Sequence, residues 1–189
     1  MTRLRRLRPA ELDAEQRALY DAIVGGPRAG GGSPFRLLDS AGGLEGPFNA
    51  MLLQPALGEA LQALGSAVRY RTTLAPRARE IAILVVARVW DSAFERHAHE
   101  AVGRVAGLTD DELHALRAGW ADAFADPGER LIAQTAAALA VRGDLTDAEF
   151  AAARDGLGLP QVFELTTLVG YYATLAMQLR VFGVRPPVA

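Results

Sequence analysis

Apolar residues recur along this chain at spacings of three and four, and no stretch alternates apolar and polar positions the way a half-buried strand does. Leu12, Leu19 and Ile23 mark a first helix over Ala10–Val24. A short helix follows over Pro47–Leu53, carrying Phe48, Met51 and Leu52, and Pro55 opens another with Leu57, Leu61, Leu64 and Val68 on one face. Two patterns then meet at Asp91. The segment Pro76–Trp90 is apolar almost all round, through Ile81, Ile83, Leu84, Val85, Val86 and Val89, which predicts a buried helix. Ser92–Ala106 reads as the next helix, with Gly107 just past its end. Thr109-Asp-Asp-Glu112 and Thr146-Asp-Ala-Glu149 are capping boxes, and Asp126-Pro127 starts a helix that runs to Val141 before Gly143. Pro160 opens the last and longest helix, which reaches Phe182 before Gly183 and Pro186-Pro187. The pattern predicts an all-α, single-domain bundle of about seven to nine helices.

Punctuation divides the chain at residue 46. Residues 1–46 read as an N-terminal helix and glycine-rich loop extension, and 47–189 as the main helical domain. GGPRAGGG over Gly25–Gly32 is too rich in glycine for regular structure. The loop from Gly25 to Pro47, with Phe35, Leu37, Leu38 and Leu44 as anchors, is long for a compact domain and suited to covering a site or reaching a neighbouring subunit. The start, MTRLRRLRP, holds four arginines but no apolar run follows, so a signal peptide is not expected and a solvated arm or oligomer contact is. No apolar stretch is long enough for a membrane span. The net charge of −2 gives no case for a nucleic-acid partner. With no cysteine, disulfides, thiolate metal sites and thiol chemistry are excluded, and a cytoplasmic location is the simplest expectation.

Against this background a few polar residues stand out. Glu80 interrupts the apolar Pro76–Trp90 helix. Ser92, Glu95 and His99 fall at i, i+3 and i+7, on one face of the next helix, with Glu95 and His99 as i, i+4 neighbours. Two readings stand on pattern alone: an exposed Glu95–His99 pair with Glu80 salt-bridged to an arginine, or one acid/base site in which buried carboxylates and an imidazole move protons. His97 points to the far side of its helix and His114 sits among polar neighbours, so the histidines lack metal-ligand spacing and neither a metal nor a cofactor is expected. Arg69 and Arg71 flank Tyr70 as a solvated corner or as a cationic wall for an anionic substrate. Glu164, Tyr171 and Tyr172 are the polar exceptions of the last helix; the tyrosines pack in the core, at an interface or along a pocket.

RExAIL at Arg79–Leu84, the ExxxH helix of Glu95 and His99, the Gly107-Leu108 that follows and the closing ELTTLVGYYATLAMQLRVFG together resemble the carboxymuconolactone decarboxylase family, which includes the alkylhydroperoxidase D proteins. The likeness spans roughly residues 44 to 183. The peroxidase branch resembles E-x11-C-x2-C-x3-H; here that register reads Glu80, Ser92, Glu95, His99, with oxygen residues at both cysteine positions. The decarboxylase branch keeps ExxxH without cysteines. The resemblance therefore implies a helical bundle of the alkylhydroperoxidase D-like type and a carboxy-lyase acting on a small carboxylated lactone or related acid. An antioxidant peroxidase is disfavoured by the missing thiols, and a non-catalytic binding or assembly module of the same fold is the third reading. In the enzyme reading His99 carries the proton, Glu95 orients it, and Glu80 is a second acid/base. Ser92, Arg88, Arg69 and Tyr171 bind the substrate, with an arginine on its carboxylates. The resemblance further implies a dimer, trimer or hexamer.

Overall fold

The computed structural model describes residues 3–26 and 36–187. Among these residues nine α-helices form, and β pairing is limited to one bridge, Leu38 with Leu44. The helices are α1 (Ala14–Val24), α2 (Phe48–Met51), α3 (Pro55–Tyr70), α4 (Pro76–Val89), α5 (Ala93–Val105), α6 (Asp110–Ala118), α7 (Pro127–Arg142), α8 (Asp147–Leu157) and α9 (Leu159–Val181). The all-α expectation holds. None of the described helices is long and apolar enough to cross a membrane.

α4 is the axis of the bundle. It touches α5, α6, α7 and α9, so it has no solvent face over most of its length, and every residue from Glu80 to Ala87 is buried. That is why its sequence is apolar all round. At its far end the chain reverses within two residues. Asp91 adopts φ 48°, Asp91 N–H donates to Arg88 O at 3.1 Å and Ser92 N–H to Ala87 O at 2.8 Å. This is a left-handed helix stop with an aspartate in the place glycine usually takes. The reversal lays α5 back along α4 and turns their polar residues toward each other. At its near end α4 is tied down twice. Arg77 pairs with Glu112 of α6 and, at 2.6 Å, with Glu129 of α7. Glu164 of α9 accepts from Thr73 N at 2.8 Å and from Leu74 N at 3.2 Å, fixing the turn that leads into α4.

Three expectations shift. The first helix starts at Ala14 rather than Ala10, because the Asp13 carboxylate accepts from Gln16 N and caps it there, leaving Pro9–Glu11 as a 3-10 turn. The short Ala121–Ala123 turn carries no periodicity and was not foreseen. The basic N-terminal arm is solvated only in part: Arg3, Arg5 and Arg8 are exposed, but Arg6 pairs with Asp39 at 3.1 Å and Glu45 at 2.6 Å, and Leu7 N donates to Asn49 Oδ1 at 2.9 Å. Acidic partners that lie more than thirty positions away in sequence are invisible to a local reading. The arm thus clamps the loop leading to α2, where Leu44 is fully buried. The glycine-rich stretch around Pro27 and the anchor Phe35 lie outside the described residues.

Gly58 marks where α2 meets α3. A β-carbon there would sit 2.3 Å from the Met51 carbonyl oxygen and 2.8 Å from the Leu19 side chain. Gly→Ala inside an exposed helix ordinarily gains about 0.5–1 kcal/mol. Here the sign is expected to invert: Gly58→Ala should cost about 1–3 kcal/mol by overpacking, read from urea unfolding midpoints. A stability equal to or above the parent's would show that the α2–α3 contact is looser than described.

Candidate active site

The α4–α5 reversal brings Glu80 and His99 into contact. Glu80, on the buried side of α4, is fully sealed from solvent, and its Oε2 lies 2.6 Å from His99 Nδ1 on α5. Arg69 at the end of α3 reaches the other oxygen at 3.5 Å, and Arg79 Nε approaches the same atom at 3.8 Å. Tyr172 of α9 closes the group: its hydroxyl accepts from Arg69 at 3.3 Å, and its ring meets His99 edge-on at 5.1 Å.

The protonation states follow from these neighbours. Burial disfavours the Glu80 charge, but His99, Arg69 and Arg79 together outweigh it and hold the carboxyl below its ordinary range. Burial pushes the His99 imidazole down, and Glu80 opposes this only in part. The two directions describe one state: an ionised Glu80 accepting from the Nδ1–H of a neutral imidazole. Nε2 is then the ring nitrogen left with a lone pair. Burial also raises the Tyr172 hydroxyl, so it stays protonated.

Glu95 behaves differently. It is buried one turn before His99, yet among the described residues neither of its oxygens has a hydrogen-bond partner that meets ordinary geometry, and neither does the nearby Ser92 hydroxyl. No described cation lies within bridging distance of Glu95. Burial pushes its carboxyl up to about 8, opposed in part by the neighbouring Ser92 hydroxyl. Burial therefore favours the protonated acid at pH 7.

Glu95 and His99 both face a partly enclosed cavity of about 90 Å³. Its wall also includes Arg69, Tyr171 and Tyr172, and an apolar remainder supplied by Leu37, Phe48, Phe94, Val102 and Leu175. On this measure one water needs roughly 10–15 Å³, so the cavity takes a small organic molecule or several waters. Gly46, at φ +62°, lets the clamped loop come close: a β-carbon there would sit 2.5 Å from the Phe94 ring.

Of the residues singled out in the sequence, Glu95, His99, Arg69 and Tyr171 line this one cavity, while Glu80 stands a layer behind His99. Three expectations need correction. The imidazole is oriented by Glu80 and not by Glu95; helical neighbours share a face, but the short contact runs across the helix pair. Arg88 is not at the cavity. It lies eight residues beyond Glu80, roughly 12 Å along α4, in a separate cleft with Arg96, Glu100 and Arg117. Ser92 stands at the N-cap position of α5 without a side-chain capping bond and is not on the wall. His97 and His114 are exposed. Sequence reading gives Arg79 no role and offers Tyr172 a place along a pocket only as one of three alternatives. Arg79 carries only the signal of adjacency to Glu80, and Tyr172 only that of a hydroxyl in an apolar helix.

With this geometry in hand, comparison with known proteins is informative. The model of the carboxymuconolactone decarboxylase family matches residues 55–141, which contain Arg69, Glu80, Glu95 and His99. Over that segment the chain is similar to this family. Its shape is similar to a crystal structure described as an alkylhydroperoxidase AhpD core, an uncharacterized peroxidase-related protein from Ralstonia eutropha JMP134. That likeness has a TM-score of 0.77 at 16% identity and covers 98% of this chain and 92% of that one, which shows a shared fold. No curated protein matches the chain.

Glu95 and His99 leave opposite signatures in stability. Glu95, raised from 4.5 to about 8, binds its proton more tightly in the folded state, so its contribution is complete below about 4.5 and is lost as pH rises toward 8. The depressed His99 gives the opposite slope, but only below its ordinary value of 6.5. Between pH 6.5 and 8.5 the melting temperature should therefore fall, and Glu95→Gln should flatten that slope. An identical slope in both proteins would mean that Glu95 is already ionised.

Proposed function

We propose that the protein is an acid/base enzyme resembling 4-carboxymuconolactone decarboxylase, acting on a small carboxylated lactone or related acid. The observation that carries this reading is the 2.6 Å contact between Glu80 and His99 at the back of a cavity that also presents a neutral Glu95. Decarboxylation breaks the bond between a carboxylate and its carbon. The electron pair left behind passes into an adjacent carbonyl and returns to carbon when a proton arrives, so one proton is taken up for each carbon dioxide released. Glu95 is positioned to give that proton. His99, neutral with a lone pair on Nε2, can then take a proton from solvent and return it to the Glu95 carboxylate for the next turnover, while Glu80 holds its tautomer and stabilises the imidazolium that forms in between. The apolar wall weakens competition from water and strengthens each of these electrostatic contacts.

The peroxidase reading suggested by the Ralstonia protein's description does not transfer. Thiol peroxidase chemistry needs a thiolate nucleophile, and the chain has no cysteine; Ser92 and Glu95 stand where the resemblance places the pair. Neither an alcohol nor a carboxylate cycles through a disulfide.

The test is carbon dioxide release by the purified protein from a panel of small lactones and β-keto acids. With a substrate found, His99→Gln should leave a folded protein whose turnover falls on the order of 10²–10⁴-fold. Glu95→Gln should lose the decline in rate expected above about pH 8, where the native carboxyl gives up its proton. A folded His99→Gln protein with parental turnover, or a panel without any carbon dioxide release, would sink the proposal.

A further inference from the structure

The buried cluster does not balance its charge. Arg69 and Arg79 both approach the same oxygen of Glu80, at 3.5 and 3.8 Å, and neither reaches another carboxylate among the described residues. Glu95 does not supply the second negative charge, since it bridges to no cation and burial keeps its proton on. Two guanidiniums thus share one carboxylate, and one positive charge is left over in a largely desolvated place. A surplus buried charge costs several kcal/mol unless something pairs with it.

Arg69 is the member of the pair that faces the cavity. Both of its hydrogen bonds to described residues, to Glu80 and to Tyr172, leave from Nη1, and both are long, at 3.5 and 3.3 Å. Its Nε and Nη2 make none among the described residues. Those two atoms form the edge of a guanidinium that grips a carboxylate with two parallel bonds. The rest of the wall is mostly apolar, and Glu95 adds a buried carboxyl whose two oxygens lack a well-aligned partner among the described residues.

We propose that the cavity takes a monocarboxylate with a compact apolar body, its carboxylate on the Nε–Nη2 edge of Arg69 and a second acceptor, such as a carbonyl, toward Glu95. This rests on the cavity being the active site and narrows its substrate class. One negative charge matches the surplus. A dianion would place its second charge among Phe48, Phe94, Val102 and Leu175, with no cation on the wall to meet it. An uncharged molecule would leave the Arg69 edge unused.

Calorimetric titration at pH 7 with matched probes tests this. Benzoate, cyclohexanecarboxylate and butyrate are the monoanions, benzamide the neutral counterpart of the first, and phthalate its dianion. At least one monoanion should bind, and benzoate at least tenfold more tightly than benzamide or phthalate. Arg69→Lys keeps the positive charge beside Glu80 and removes the fork, so it should fold and bind benzoate about tenfold more weakly, with benzamide unchanged. Arg69→Gln, checked for folding by circular dichroism, should erase the preference for benzoate. Equal or tighter binding of benzamide or phthalate, no uptake of any monoanion, or parental benzoate affinity in Arg69→Lys would each overturn the inference. Binding is read without turnover, so the two proposals fail separately. A lost charge preference with His99→Gln still inactive removes only the monoanion, whereas an intact preference with His99→Gln fully active removes only the proton-transfer reading.

Discussion

The carboxylate of Glu80 is the constraint on which the rest of the structure depends. It sits fully buried in the central helix of the bundle, where an ionised carboxyl is stable only if several donors surround it. Those donors come from three separate elements: His99 on α5, Arg69 at the end of α3 and Arg79 on α4 itself. Removing one partner of such a buried group costs about 3–5 kcal/mol, because the others are left uncompensated. The cluster therefore fixes how α3, α4 and α5 sit together, and the geometry that stabilises it also sets the tautomer of the imidazole at the cavity wall.

Around that point the fold divides its work. The left-handed turn at Asp91 reverses the chain so that α5 faces α4. The N-terminal arm, through Arg6, holds the loop that brings Leu37, Pro47 and Phe48 over the cavity. α9 contributes Tyr171 and Tyr172, which pack edge to face at 5.2 Å. Each element supplies little polar surface, so the few polar groups inside interact in a low-dielectric setting where small displacements change proton affinity strongly. Two carboxyls four turns apart in sequence end in opposite states for this reason: Glu80 is ionised among cations, and Glu95 is protonated among apolar side chains.

Much of this was legible in the sequence, and the limits have physical causes. Helices were readable because period, proline starts and capping boxes agreed at each one, and α4 announced its central place by lacking a polar face. Glu80 was conspicuous for the same reason: a charge in an apolar helix has few explanations. The face shared by Ser92, Glu95 and His99 followed from helical geometry. What spacing cannot tell is which neighbour a side chain chooses across a helix pair, so Glu95 was expected to orient His99 when Glu80 does. Nor can it tell how far along a helix a residue lies from a site, which is why Arg88 was grouped with groups it does not meet. Arg6 with Asp39 and Tyr172 with Arg69 are contacts between distant parts of the chain, with no local trace.

The account stands on His99 being a neutral imidazole that donates through Nδ1 to an ionised Glu80. Nitrogen-15 chemical shifts of the imidazole, followed from pH 5 to 9 in the labelled protein, test that directly. The account predicts a protonated Nδ1 and an unprotonated Nε2 at pH 7, with a midpoint for gaining the second proton below the ordinary 6.5, and loss of the single tautomer in Glu80→Gln. A ring protonated at Nε2 alone, or an imidazolium at pH 7, would contradict it.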